Sequence, residues 1–541
     1  MRRSSSAPIR VADGTGSRAA RRPRLEVRAS AARRHLQAAL LTVGLAWGGC
    51  AHHEPEPPDY WPTEAWQSAS PESQGVSSAR LADALDWVAD HQAAIHSLTV
   101  VRHGRLVLDA CFNGYTAGTP HELGAITQSV LGTLTGVALA QGQLKSLDQK
   151  VLDFFPEQGA ERADARRGQL SLRDLLTQQS GISWVTQPTE VSLSDMTQTV
   201  DWVQFMLSQP MDDEPGRTFV DNGGAAHLLS ALLTRATGVS AADYAQDRLF
   251  TPMGIRPGPW PLGPQKRYNH GWGGLHLTPH DLARLGLLYL QHGRWADRQL
   301  VPDAWIEAAT GRQVQLKGDS GFGYLWWIED EPKGMFTARG RGGQRLMVWP
   351  DKQAIVVITG GGLDPAPLVP LLVAAFGSDT PLPENPDGSA LLARARQRAV
   401  AGATPNRLPE ALAPATARGV SGRCFELADN PFTLQELTLT FRDPTEAMLL
   451  LKSAHYAEEN RLVRFIIGLD GVPRTAPGRF QLPAAAVGQW TSDNTFEADI
   501  DEIANINRFH LRLVFGPGSV RGTLSEQTGL GSIELSGTAK D

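Results

Sequence analysis

The chain is 541 residues long, 41% hydrophobic and 20% charged, enough apolar material for two or three globular domains, which excludes a fibrous or disordered protein. Its net charge of −6 is unevenly spread: residues 1–34 carry ten Arg against Asp13 and Glu26, so the body that follows is acidic. An acidic body argues against nucleic acid as a partner.

The Arg-rich start leads into the short apolar run "LQAALLTVGLAW" and then Gly48-Gly49-Cys50. That run is too short for a permanent transmembrane helix and fits the core of a signal peptide. Small residues directly before Cys50 resemble a bacterial lipoprotein cleavage site. Residues 1–50 are then a leader, and Cys50 the lipidation site of an exported protein held at the membrane of the cell envelope; a periplasmic or secreted protein is the alternative. Residues 51–62, "AHHEPEPPDYWP", read as an exposed tether.

A helical period over 79–92 precedes "SLTVVRHGRLVLDACF", two apolar runs around His103-Gly104 that predict a β-hairpin. Residues 125–141 are apolar almost all round and stop at Gly142, as a buried helix does. Helical and loop segments continue to about residue 310. Strand-like runs return at "GFGYLWWI", "QRLMVWP" and "AIVVITGG", before an apolar helix near 366–376. Strands at both ends with helices between them predict an α+β domain over 63–378, one sheet flanked by helices with a helical subdomain. Residues 379–415 read as a Pro/Ala/Arg-rich linker with room for one helix. From 416 to 541, short alternating runs separated by turn residues predict a mainly antiparallel β domain, barrel or sandwich. Cys111 and Cys424 are read as buried thiols, with no disulfide, zinc site or other cofactor expected.

Residues Gly124 to Val130 read "GAITQSV", followed in order by "LDQKVLDFFPE", "SLRDLLTQQSGI", "EPGRTFVDNGGAAHLLSALLTRATG", "RLFTPMGI", "GWGGLHLTPHDLARLGLLYL" and "ARGRGGQRLMVWPD". Over some 300 residues this resembles the serine β-lactamase-related hydrolases, which include penicillin-binding DD-peptidases, class C β-lactamases and esterases. The resemblance implies a β-lactamase/transpeptidase-like domain, whose usual nucleophile phrase is close to "ASVTKSV". There a serine at a helix N-terminus meets amides and a dipole that favour developing negative charge. A lysine three residues on shares its face and takes its proton. A tyrosine in a second motif relays that proton, and a Lys-Thr-Gly or His-x-Gly strand forms the opposite wall.

Carried onto this chain, the nucleophile position holds Ala125, the lysine position Gln128 and the tyrosine position Asp221. Alanine has no nucleophilic atom, and a glutamine amide is no base near neutral pH. None of the eight lysines has a serine three residues before it, so the motif is not displaced elsewhere. Ser129 lies one turn deeper and reads as a core serine bonded to a helix carbonyl. His270, His276 and His280 read as structural rather than metal-binding. Asn222 remains, and Arg341-Gly342-Gly343 stand where the third motif belongs, so these four are the candidate ligand-binding residues.

Three functions follow as expectations. The first is a catalytically inactive relative that acts in the envelope by binding a peptidoglycan-like or acyl ligand, or an active relative. The second is a hydrolase of altered machinery in which Asp221 activates water. The third is a scaffold whose C-terminal β domain binds a ligand or envelope partner, with Arg474, Arg479, Phe480 and Trp490 at a barrel mouth.

Overall fold

The computed structural model describes residues 58–158, 164–186, 190–401, 414–453 and 462–540. The leader, Cys50 and most of the expected tether lie outside these residues. The tether's last residues are packed, not extended into solvent: Tyr60 Oη donates to the Gly104 carbonyl at 2.7 Å, and Trp61 rests on Trp295 with ring centroids 5.1 Å apart. Among the described residues no helix is long and apolar enough to cross a membrane.

The hairpin Ile95–Arg102 and Arg105–Cys111 forms one edge of an eight-stranded antiparallel sheet. It pairs directly with Ala354–Gly360, with Val100 opposite Val356, and the sheet continues through Arg345–Trp349 and Phe336–Arg339. Sequence-distant strands thus meet because both are buried on two faces, which only a covered central position satisfies. One face carries Ser78–Asp90 in a cluster with Leu98, Val356 and Ile358. The other packs against Ile126–Ala140 and Pro279–Leu290 in the larger core. Ile126–Ala140 is buried around its circumference. Its Gly136 permits the closest contact: a Cβ there would lie 2.4 Å from the Trp305 ring.

The segment expected as a linker contributes more than a connection. Pro386–Ala401 is a helix that buries Ala395 and Ala399 in the cluster of Leu81 and Leu85. Its Arg398 bridges Asp86 at 2.7 Å and Asp90 at 3.2 Å on Ser78–Asp90.

Beyond it ten strands form a mainly antiparallel sheet closed into a barrel, the closure being a short parallel pairing of Ile467 with Ala486. Period-two patterning builds it: in Glu446–Ser453, Ala447, Leu449 and Leu451 point inward while Glu446 and Lys452 face out. The described residues all fall in one contact unit, so the barrel and the mixed α/β part share one frame. Cys111 and Cys424 are free and only half-buried, less enclosed than their sequence context suggests.

Candidate active site

Ala125 caps the helix Ile126–Ala140, offering no side-chain acceptor to its first amides. Three residues on, Gln128 is 5% exposed and held by a defined relay. The Asn222 backbone N–H, which can only donate, gives its proton to Gln178 Oε1 at 2.9 Å. That fixes the Gln178 amide, whose Nε2 donates to Gln128 Oε1 at 2.9 Å. The Gln128 Nε2 group is left with no acceptor among the described residues, on a side chain that lines a cavity of about 680 Å³. A neutral amide donor therefore occupies the position where the resemblance implies a basic lysine.

Ala125, Gln128, Asp221 and Arg341 all line this cavity; Asn222, Gly342 and Gly343 do not. Asn222 is fully buried and caps the helix Gly223–Thr237, its Oδ1 accepting from Ala225 N at 2.9 Å. Asp221 opens onto the cavity but is crowded by protein elsewhere, so desolvation raises its carboxyl above the ordinary range. Beside it stands Glu190, which starts the helix Val191–Thr197 in a left-handed backbone conformation, φ 52°. Burial, and then the Asp221 charge, push the Glu190 carboxyl up to about 7 against a weaker opposing pull from Arg341. Neither carboxylate has an ion-pair partner among the described residues. Glu190 carries no motif; it stands between a Pro-Thr pair and the mixed stretch "VSLSDMTQ", and sequence reasoning passes over it.

The other wall comes from the barrel. Between its strands Thr495–Asp501 and Arg508–Gly516, the loop 502–507 is buried at every residue. Glu122 N donates to the Ala504 carbonyl at 2.9 Å, and Asn505 Oδ1 meets His276 Nε2 at 2.9 Å. Ile506 presses on Gly342, where a Cβ would come within 2.3 Å of its Cγ2; with φ 76° that glycine is required twice over. Arg341 Nη2 donates to Asn507 Oδ1 at 2.7 Å, while Nη1 reaches Thr528 Oγ1 and the fully buried Glu526. The cation of the third motif is thus engaged by the barrel. Arg479 likewise pairs with Glu502 at 2.8 Å and Arg339 with Glu329 at 2.5 Å.

The remaining candidates separate. Arg479 and Phe480 line the cavity; Arg474 bonds Glu446 and Asp470, and Trp490 packs on Phe441 and Phe496. His270 stacks on Trp272 and His280 bonds Asp109, apart from His276. Among the described residues no three His, Cys, Asp or Glu are grouped to hold a metal ion. Ser129 is a core serine, but its Oγ donates to the Leu325 carbonyl at 2.6 Å and not to its own helix. No lysine, tyrosine or cysteine is among the cavity-lining residues. Past that polar end, Phe432, Leu451, Val463, Phe465, Phe509 and Leu524 make the barrel mouth apolar.

The Beta-lactamase family profile matches residues 79–370. A 6-aminohexanoate-dimer hydrolase of Paenarthrobacter ureafaciens is 22% identical over 290 residues, which are 49% of this chain and 72% of that protein. A beta-lactamase of Escherichia coli is 25% identical over 233 residues, 40% of this chain and 59% of its own length. Among solved structures, an octameric penicillin-binding protein homologue from Pyrococcus abyssi covers 83% of this chain and 97% of its own, at 16% identity and a TM-score of 0.43. The family profile spans more than half of the sequence, including both halves of the sheet and the helix behind Ala125, and the chain therefore belongs to the beta-lactamase family.

Proposed function

We propose that this chain is a non-acylating member of its hydrolase family that works by binding a ligand in the cavity between the sheet domain and the barrel, in the cell envelope, anchored through Cys50. The observation that carries the reading is the pair at the helix start: Ala125 supplies no nucleophile, and Gln128 is bonded to Gln178 as a neutral amide. Loss of such a nucleophile alone costs on the order of 10⁶ in turnover, and loss of its base adds little to that. Peptidoglycan-like fragments, other acyl compounds and an active relative are the proposed partners.

The test is intact-protein mass after exposure to a fluorophosphonate and, separately, a penicillin, alongside the triple variant Ala125→Ser, Gln128→Lys, Asp221→Tyr. The native chain is expected to stay unlabelled. A stoichiometric adduct on the native chain overturns the reading, and the modified peptide names the nucleophile.

A second reading, hydrolysis by water activated at Asp221, gains support from one observation: Glu190 stands beside it, giving two carboxyls of raised pKa in one cavity. It requires ester or amide turnover that Asp221→Asn and Glu190→Gln each reduce by about 100-fold or more. Turnover insensitive to both substitutions removes it.

A further inference from the structure

A polar cluster beside the cavity joins the sheet domain to the barrel, and its hydrogen-bond roles can be followed atom by atom. His96 is the extra residue of a β-bulge: Ile95 stands opposite Gly360 and Ser97 opposite Thr359, with no partner for the residue between them. A bulge re-aims a side chain, and here the buried His96 ring reaches the barrel. Gly361 leaves room for it, since a Cβ there would lie 3.0 Å from His96 Cε1. The Glu122 carbonyl can only accept, so His121 Nδ1, 2.7 Å away, carries a proton. Burial, and then the neighbouring His96 and His276, hold the His121 imidazole well below the ordinary histidine range, which leaves its Nε2 an acceptor. His96 Nδ1, 2.8 Å from that atom, must then donate. In a neutral His96 the other nitrogen, Nε2, is a second acceptor. What faces it at 3.6 Å is Asp501 Oδ1, a buried oxygen with no hydrogen bond among the described residues. Two acceptors thus oppose each other across the seam, and one added proton would turn the opposition into a charge-assisted bond.

The other groups around His96 neither supply that proton nor occupy its place. Tyr115 stacks on the ring but turns its hydroxyl to the Thr119 carbonyl; burial, then Cys111, Asp281 and Asp109, raise its pKa well above the usual phenol value. Arg508 Nε lies 3.6 Å from Asp501 Oδ2, the opposite carboxylate oxygen, on a side chain 39% exposed. His276 is bonded to Asn505 and to backbone carbonyls, and the Glu122 and Glu502 carboxylates face Arg479. We infer that His96 and Asp501 form a proton-operated clasp between the sheet domain and the barrel. With the added proton His96 donates from both nitrogens, to His121 and to Asp501, and the barrel is held; without it this end of the seam loosens. Asp501 ends the strand Thr495–Asp501 and leads straight into the loop 502–507, so the clasp sets how firmly the cavity wall of Glu502, Ile506 and Asn507 is seated. The inference holds whether or not the chain acylates a substrate.

The clasp is closed at low pH and opens as pH rises. His121 acts with the opposite sign, because a histidine held neutral by burial lowers stability as pH falls. Whole-chain Tm mixes the two, so the test reads the seam directly. It combines imidazole NMR of the full chain, with labelled histidine, and hydrogen exchange of the Glu122 amide, which donates to the Ala504 carbonyl across the seam. Both run from about pH 5.5 to about 8.5, the span of ordinary histidine titration. The comparison variant is Asp501→Asn, equal in size, whose amide donates to a neutral His96 with no added proton. His96→Gln identifies the His96 signal, and the hydrogen-bond coupling between His96 Nδ1 and His121 Nε2 identifies it equally if that variant does not fold.

In the native chain His96 is expected to gain a proton at Nε2 within this span, and Asp501→Asn to move that transition to lower pH. The Glu122 exchange rate of the native chain, divided by that of the variant at the same pH, is expected to rise about tenfold from the acid to the alkaline end. The same-pH ratio cancels base catalysis of exchange and the His121 contribution, which both chains share. A His96 that keeps one protonation state throughout, or that titrates alike in the native chain and in Asp501→Asn, overturns the inference. So does an exchange ratio that stays flat while His96 titrates, because the proton would then bind without holding the barrel.

Discussion

Glu190 carries a proton when folded under conditions where an ordinary glutamate does not. Its carboxyl is pushed from 4.5 to about 7 by burial and by Asp221. Between those values the folded chain holds a proton that the unfolded chain has released. The stability this represents is fully present below the unfolded value and is lost as pH rises through the folded one. Glu190→Gln is accordingly expected to raise Tm at about pH 8 and to leave it little changed near pH 4. Thermal unfolding at the two pH values checks this, and an equal shift at both assigns the effect to packing instead of titration. Residues of this kind were hidden in the sequence for a physical reason. Ala125, Gln128 and Asp221 were legible because helix spacing and flanking phrases fix where a serine, lysine and tyrosine would stand. Glu190 and Gln178 gain their meaning only from neighbours brought up in space, Asp221 for one and Asn222 and Gln128 for the other. The sequence position of Asn222 points to a ligand contact; in the fold it spends its oxygen capping a helix.

The loop 502–507 is the element on which the site depends most. Ile506 is 1% exposed and lies over Gly342 in the sheet domain, so its side chain is wedged between the two halves of the molecule. Ile506→Ala is expected to cost about 2–4 kcal/mol, the transfer of three carbons plus an uncollapsed cavity against a glycine that cannot fill it. Denaturant unfolding measures it; a loss below about 1 kcal/mol would show that the loop is seated by its polar bonds alone. The strands around it were readable, because alternation such as that of Glu446–Ser453 survives without knowledge of the partner. The loop itself was not. "EIANIN" mixes polar and apolar residues as an ordinary hairpin connection does, and the groups that bury it, Glu122, His276 and Arg341, lie more than 150 residues earlier in the chain. The packing of Pro386–Ala401 is hidden for a related reason: the linker composition leaves room for a helix there, but only Asp86 and Asp90 on a distant helix give its Arg398 a place.

At the scale of the whole molecule, the seam between sheet domain and barrel is held by buried polar contacts, and this determines how the protein unfolds. Arg341 joins Asn507, Thr528 and Glu526; Arg479 faces Glu122 at 3.9 Å; Asn505 meets His276. Beside them His121 donates from Nδ1 to the Glu122 carbonyl, which leaves Nε2 to accept from His96 Nδ1 at 2.8 Å, while His96 Nε2 faces Asp501 of the barrel at 3.6 Å. Separating the halves would strip Arg341 and Asn505 of these partners in a place that water reaches poorly, which is costly in a way that an apolar seam of the same area is not. Sheet domain and barrel are therefore expected to melt together, giving one calorimetric transition although each half has hydrophobic core of its own. Arg341→Met tests the coupling where it is concentrated. It leaves Glu526, whose side chain is 0% exposed, bonded to its own loop but without its cation, at a cost of about 3 kcal/mol. The single transition should then divide, with the barrel melting first, because the sheet domain keeps its eight strands while the barrel loses its strongest tie. Two transitions already present in the native chain would mean that the seam is a contact surface and not a common core, and the cavity between the halves would then open and close on its own.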